Sequence, residues 1–263
     1  MGQSRMIRSI PYLRIEAIDQ EAERLLHEYE SMRRWPMQPP IPIDDIIEKH
    51  LKLGLEFDDM HKLLEIPRED FKYSQNFDVL GAIFFDEKRI VIDSSLDPTE
   101  SSAKEGRLRF TLAHEVAHWQ LHRSHFTKDE TQSSLFENMS VPSVICRKSQ
   151  AKESIEWQAD TYAARLLMPC ELVFAAWEEI FPDRKSRVLP PDVPVDHPFI
   201  EMPRISHKVG QYDYPESDAD MLNRVVFPLA ERFCVSQAAM RIRLEELGLL
   251  MREIPRQKAL VTT

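Results

Sequence analysis

An α+β fold is predicted for this chain, and three features of its sequence predict it. The run from Phe110 to His122 contains neither Gly nor Pro and is apolar on several sides, as a helix buried in a core should be. Two short runs, Val79 to Phe85 and Arg89 to Asp93, flank Asp86-Glu87-Lys88 and read as a β-hairpin. The other strongly patterned segments repeat at helical spacing. The expected architecture is therefore a small sheet beside a helical majority, with a helical extension at the C-terminal end.

The elements follow in order along the chain. Ile15, Ile18, Ala22, Leu25, Leu26, Tyr29 and Met32 fall on one stripe of a helix spanning 15–33. Pro36, Pro39, Pro40 and Pro42 then interrupt the chain, and a short helix follows from Asp44 to Leu53. Residues 1–43 thus read as an N-terminal helix with a proline-rich turn, and 44–181 as the core. After the hairpin, Ser102-Ala103-Lys104-Glu105 fits a capping box and starts the buried helix. A second strong helix runs from Glu153 to Met168 and ends at Pro169. Residues 182–219 are rich in Pro, Asp and Arg and read as an irregular insertion. The final part, 220–263, holds a helical pair, Leu222 to Phe233 and Gln237 to Leu247. Ser236 is placed to cap the second helix at its N-terminus, and Gly248 to end it.

The buried helix carries the most informative pattern, His114-Glu115-Val116-Ala117-His118, which is H-E-x-x-H. Residues four apart on a helix share one face, so two imidazoles there can grip one zinc ion, each at about 2.0–2.1 Å. Glu115 leaves the helix at a different angle, suited to taking a proton from water rather than binding the metal. With nine histidines in the chain, a chance match would fall in a loop or on a polar helix. Two histidines flanking a glutamate on a buried face would instead be costly without an ion. His122 continues the series, but it lies about 6 Å further along the axis, and no glycine turns the chain back. It is expected to support or pack rather than to ligate.

A catalytic metal site needs a third protein ligand and an open position. Glu156 and Asp160 are four apart on the second helix, so both carboxylates point the same way. Glu156 is the expected third ligand, with Glu153 as the fallback. Asp160 is expected to accept the free ring N–H of a ligand histidine and so fix its tautomer. A cysteine ligand, Cys146, is the weaker alternative.

The stretch Arg109-Phe110-Thr111-Leu112-Ala113-His114-Glu115-Val116-Ala117-His118, followed by Glu156-Trp157-Gln158-Ala159-Asp160 and Ala163-Ala164-Arg165-Leu166-Leu167-Met168-Pro169, closely resembles the ImmA/IrrE family of metallopeptidases. The family pattern is R-F-T-L-A-H-E-x-x-H, then E-x-x-A-D-x-F-A-A-x-L-L-M-P. Tyr162 replaces the usual Phe, which keeps an aromatic core residue. The resemblance is strong from about residue 79 to 170 and weaker elsewhere. It implies a zincin-like metallopeptidase core, zinc on His114, His118 and Glu156, and Glu115 as general base. It also implies a specific substrate, typically a helix-turn-helix transcriptional repressor encoded nearby, whose cleavage switches on stress-response or mobile-element genes. One zinc per chain is expected, with manganese as the substitute under some conditions.

Composition narrows the alternatives. A net charge of -10 argues against general nucleic-acid binding. The three cysteines, Cys146, Cys170 and Cys234, form no C-x-x-C and suggest no disulfide framework. No signal-peptide pattern opens the sequence and the longest apolar stretch is too short for a bilayer, so a cytoplasmic protein without membrane contact is expected. The C-terminal pair resembles a helix-turn-helix, yet Arg241 and Arg243 on its expected polar face are offset by Glu245 and Glu246. That face is instead a candidate docking surface for a repressor. His207, Tyr212 and Tyr214 in the insertion are candidates for holding an oxyanion. Two rival classes stand beside the peptidase: an idle metal-containing binding module and a DNA-binding regulator, each controlling a repressor without proteolysis.

Overall fold

The computed structural model describes residues 11–64, 79–97, 104–126, 150–188 and 218–251. These form a mixed α+β structure of mostly helices and a small sheet. Helix α1 spans Ile15–Arg33 and buries Ile18, Ala22, Leu25, Leu26 and Tyr29, while the ends of its expected stripe, Ile15 and Met32, are exposed. A short helix α2, Ile43–Asp45, continues as a wider π-type turn, Ile46–His50. Strand β1, Gly54–Asp58, and the one-turn helix α3, Met60–Leu63, come next.

The expected hairpin is present as β2, Gly81–Phe84, and β3, Arg89–Asp93, paired antiparallel. Strand β1 joins the other side of β3 in parallel, with Leu55 opposite Ile90 and Phe57 opposite Ile92. The order is thus β1-β3-β2, which leaves β2 as an edge strand among the described residues. The side chain of Asp93 accepts from the backbone N–H of Ser95 at 3.0 Å and of Met60 at 3.2 Å, which ties the end of β3 to α3.

Helix α4, Glu105–Ala117, runs into a π-type turn, His118–His122, and then α5, Arg123–Phe126. It lies between the sheet and α6, Gln150–Leu167, and α6 in turn packs on α1. Leu108, Leu112, Ala113, Val116 and Ala117 of α4 meet Ala159, Tyr162, Ala163 and Leu166 of α6 within one core cluster. Ser102 of the expected capping box lies outside the described residues. Arg109 is buried in α4, and its guanidinium donates to the carbonyl of Ile41, which anchors the proline-rich turn to the central helix.

Helix α7, Cys170–Ile180, begins directly after Pro169 and buries Val173, Ala176 and Trp177. Pro169 reads as a stop in the sequence, but here it also precedes a helix, a place where the missing N–H costs nothing. Strand β4, Arg187–Val188, lies within the stretch expected to be irregular. It pairs in parallel with β5, Leu250–Met251.

The C-terminal pair forms as α8, Asp218–Phe233, and α9, Gln237–Glu246. Ser236 Oγ accepts from the N–H of Ala239 at 3.1 Å, the N-terminal cap its position suggests. Gly248 follows the helix with φ +69°, a conformation that only glycine adopts without strain. Val226, Leu229, Phe233, Met240 and Leu244 join the same core cluster as α4 and α6.

The expected polar face of α9 is corrected here. Arg241 and Arg243 are buried, at 4 % and 5 % exposure. Arg243 Nε donates to the carbonyl of Met168 at 3.0 Å, at the end of α6. Arg165 pairs with Asp19 at 2.8 Å and Glu246 at 3.2 Å, so α1, α6 and α9 share one ionic network. Arg241 lies 3.7 Å from Glu245 and Arg243 3.4 Å from Glu246, as the charge pattern of α9 suggests, but that pattern does not reveal the burial of either arginine or the bond to Met168. Arg243→Glu is therefore expected to destabilise the fold by about 3–5 kcal/mol, as breaking a buried pair does. Chemical denaturation checks this; a cost under about 1 kcal/mol, the surface value, would contradict the burial.

Candidate metal centre

The site is built where α4 crosses α6. Helical spacing puts His114 and His118 on the same face of α4, and α6 brings Glu156 and Asp160 to meet them. His114 Nε2 lies 3.0 Å from Glu156 Oε2. His118 Nε2 lies 3.0 Å from His114 Nε2 and 3.8 Å from Glu156 Oε2. The rings of His114 and His118 meet edge to face, with centroids 4.7 Å apart. Three ligand atoms, one from each of His114, His118 and Glu156, thus converge within 4.8 Å and could hold a metal ion.

Their spacing suits a cation. Ligands at about 2.0–2.1 Å in a tetrahedron stand about 3.3–3.4 Å apart. The three observed separations, 3.0, 3.0 and 3.8 Å, bracket that value. Two imidazole nitrogens and a carboxylate oxygen facing one another need a proton or a metal ion between them. The cluster is deep at one end and open at the other: the His118 side chain is 2 % exposed and that of Glu156 24 %.

Asp160 Oδ1 lies 2.9 Å from His114 Nδ1. The carboxylate accepts from that ring N–H, which leaves the Nε2 lone pair for the cluster. Without a metal, burial works against a charged His114, but the hydrogen bonds to Asp160 and Glu156 outweigh it and push the pKa up to about 10. The two carboxylates therefore favour a positive charge at this cluster.

A pH dependence follows. The pKa of His114 is raised on folding, so its contribution to metal-free stability is complete below its unfolded value, about 6.5. It is lost as pH rises through about 10. The metal-free unfolding midpoint should fall across this window, more steeply in wild type than in Asp160→Asn. Coincident profiles would contradict the assignment. Over the same window metal affinity should rise, because the proton no longer competes.

Glu115 is buried. Burial pushes its carboxyl upward, and the neighbouring His118 and His114 pull it back only in part. A glutamate raised in this way is a better base near neutral pH than an exposed one. Gly81 of β2 explains how the strand fits beside it: a Cβ there would stand 2.8 Å from Thr111 Cγ2 and 3.1 Å from Glu115 Oε1. The edge strand therefore passes directly against the glutamate, and only glycine leaves room for both.

His122 is fully buried and does not reach Glu156 or His114 as a ligand. Its Nδ1 lies 2.9 Å from His118 Nδ1, on the far side of that ring, and its Nε2 lies 3.2 Å from Gln158 Oε1. Burial, and then the adjacent His118, push its pKa down to about 4. Gln158 received no role from the sequence. Its signal was there: Ile155, Gln158, Ala159 and Tyr162 form the buried stripe of α6, and Gln158 is the amide within it.

His207, Tyr212, Tyr214 and Cys146 lie outside the described residues, as does the side chain of Glu153. Among the described residues, no helix is long and apolar enough to cross a membrane. No protein-family model matches the chain, and no curated protein matches it.

Proposed function

We propose that this chain is a zincin-like zinc endopeptidase that cleaves a specific protein, a helix-turn-helix transcriptional repressor. The observation that carries the reading is the joint arrangement of three converging metal-ligand atoms and a buried glutamate on the same helix. A purely structural zinc site needs no such base and is closed by a fourth protein ligand. Two histidines and a carboxylate are a donor set that zinc accepts, and manganese is the substitute. The resemblance of Arg109 to His118 and of Glu156 to Pro169 to the ImmA/IrrE family supports the same reading and supplies the substrate class.

His114, His118 and Glu156 would hold the ion, which supplies Lewis acidity to an attacking water and a scissile carbonyl. Glu115 takes the proton as the water oxygen bonds to the carbonyl carbon. It then gives that proton to the amide nitrogen as the C–N bond breaks, so one carboxylate serves as base and then as acid. Asp160 keeps the His114 ring oriented throughout. Among the described residues, strand β2 has an unpaired edge and passes beside Glu115, and an extended substrate segment can lie on that edge by strand addition. Binding through backbone hydrogen bonds selects an unfolded or loop segment rather than a particular side chain.

The test is incubation of the zinc-loaded protein with helix-turn-helix repressors, beginning with any that a neighbouring gene encodes, with new termini read by mass spectrometry. One or few cuts are expected, with casein left intact. Broad casein digestion would contradict the selectivity. An intact repressor in the presence of zinc-loaded protein would contradict the substrate assignment.

A further inference from the structure

The buried chain of polar groups behind His118 has a fixed direction. It starts at Gln158, a fully buried residue of α6. The Gln158 amide nitrogen donates to the backbone carbonyl of Pro11 at 3.2 Å and to Ser154 Oγ at 3.4 Å. A carbonyl oxygen can only accept, so the NH₂ group must face Pro11, and the amide cannot be turned round. Gln158 Oε1 is then the atom that faces His122 Nε2, at 3.2 Å.

An amide oxygen also only accepts, so His122 Nε2 carries the proton. A charged His122 would stand fully buried between a neutral amide and another imidazole, so the neutral ring is the form that fits. Its Nδ1 therefore presents a lone pair. His118 Nδ1, 2.9 Å away, must donate into it. In a neutral ring this leaves His118 Nε2 bare, and that is the atom directed at His114 and Glu156. The wide turn of His118–His122 matters here, because it sets the two rings side by side with centroids 5.1 Å apart.

We propose that Gln158 and His122 form a directed hydrogen-bond relay, anchored on the Pro11 carbonyl, that holds His118 in the tautomer with its proton on Nδ1 and its Nε2 lone pair turned into the metal cluster. Both are positioning residues, since neither reaches the cluster itself. The two ligand histidines are then oriented by different means. His114 uses the carboxylate of Asp160, which is largely exposed, and His118 uses a neutral, solvent-free relay. The inference rests on the metal reading only for what the bare nitrogen is for; the tautomer stands independently of it.

The experiment uses the full chain, metal-free, with ¹⁵N-labelled histidine, and reads the ring nitrogens by two-bond ¹H–¹⁵N correlation near neutral pH. His118 is expected to be protonated on Nδ1 and His122 on Nε2. A His118 ring protonated on Nε2 alone would overturn the relay, and this arm needs no variant to fold. In Gln158→Met, both rings should lose their single tautomer. The zinc affinity of that variant, measured by chelator competition, should fall about 10–100-fold. Wild-type affinity in Gln158→Met would also overturn the proposal, and the metal-free unfolding midpoint reports any structural cost separately. If wild type itself binds no zinc, the metal reading fails, while the tautomers still decide the relay.

Discussion

Glu115→Gln is expected to keep the metal and lose hydrolysis. The amide is nearly the size of the carboxylate, so β2 still fits against it across the gap that Gly81 leaves. It cannot take a proton from water, and general base catalysis is worth about 10²–10⁴-fold. Repressor cleavage should fall by about that factor, with zinc content and affinity unchanged. Cleavage within about threefold of wild type would remove Glu115 from the chemistry, against the magnitude that such bases supply. Loss of the metal would show instead that Glu115 is a ligand.

His118→Ala is expected to abolish metal binding altogether. It removes the most buried of the three donors, and the remaining His114 and Glu156 are too few for a tight zinc site. The consequence is visible in stability as well as in content. At zinc about 1,000-fold above its Kd, wild type should gain about 4 kcal/mol of unfolding free energy, and the variant almost nothing. Glu156→Gln should weaken binding in the same assay while leaving the fold intact, because its side chain lies at the open end of the cluster. A full stabilisation of His118→Ala by zinc would place the ion elsewhere.

The elements that could be read directly were those whose signals are local. The stripe of α1, the hairpin of β2 and β3, the cap at Ser236 and the turn at Gly248 each depend on residues close in sequence. H-E-x-x-H is of the same kind, since helical spacing alone brings His114 beside His118. Strand β1 escaped because its own residues are mostly exposed and its place is set by pairing with β3. Strands β4 and β5 escaped because two residues carry no period. Helix α7 was hidden by Pro169, which marks an end and a beginning at once.

The less legible part of the site depends on tertiary contact. The convergence of Glu156 and Asp160 on His114 could be inferred only because both sit at helical spacing beside a motif that needs a third ligand. The burial of Arg241 and Arg243 could not, because it is set by packing between helices, and Arg243 reaches the Met168 carbonyl at the end of α6, while their carboxylate partners Glu245 and Glu246 lie on α9 itself. Gln158 joins residues from Pro11 to His122, a span no local pattern covers. Helix α9 consequently presents other residues than its arginines to solvent, Ile242 among them, and any docking through it would use those.

His114, His118 and Glu156 are proposed to hold one metal ion beside a catalytic glutamate. Metal analysis of protein dialysed after zinc exposure, run in parallel on wild type, Glu115→Gln and His118→Ala, tests it most directly. About one zinc per chain is expected in the first two and none in the third. Wild-type protein without zinc, or His118→Ala with as much as wild type, would contradict it.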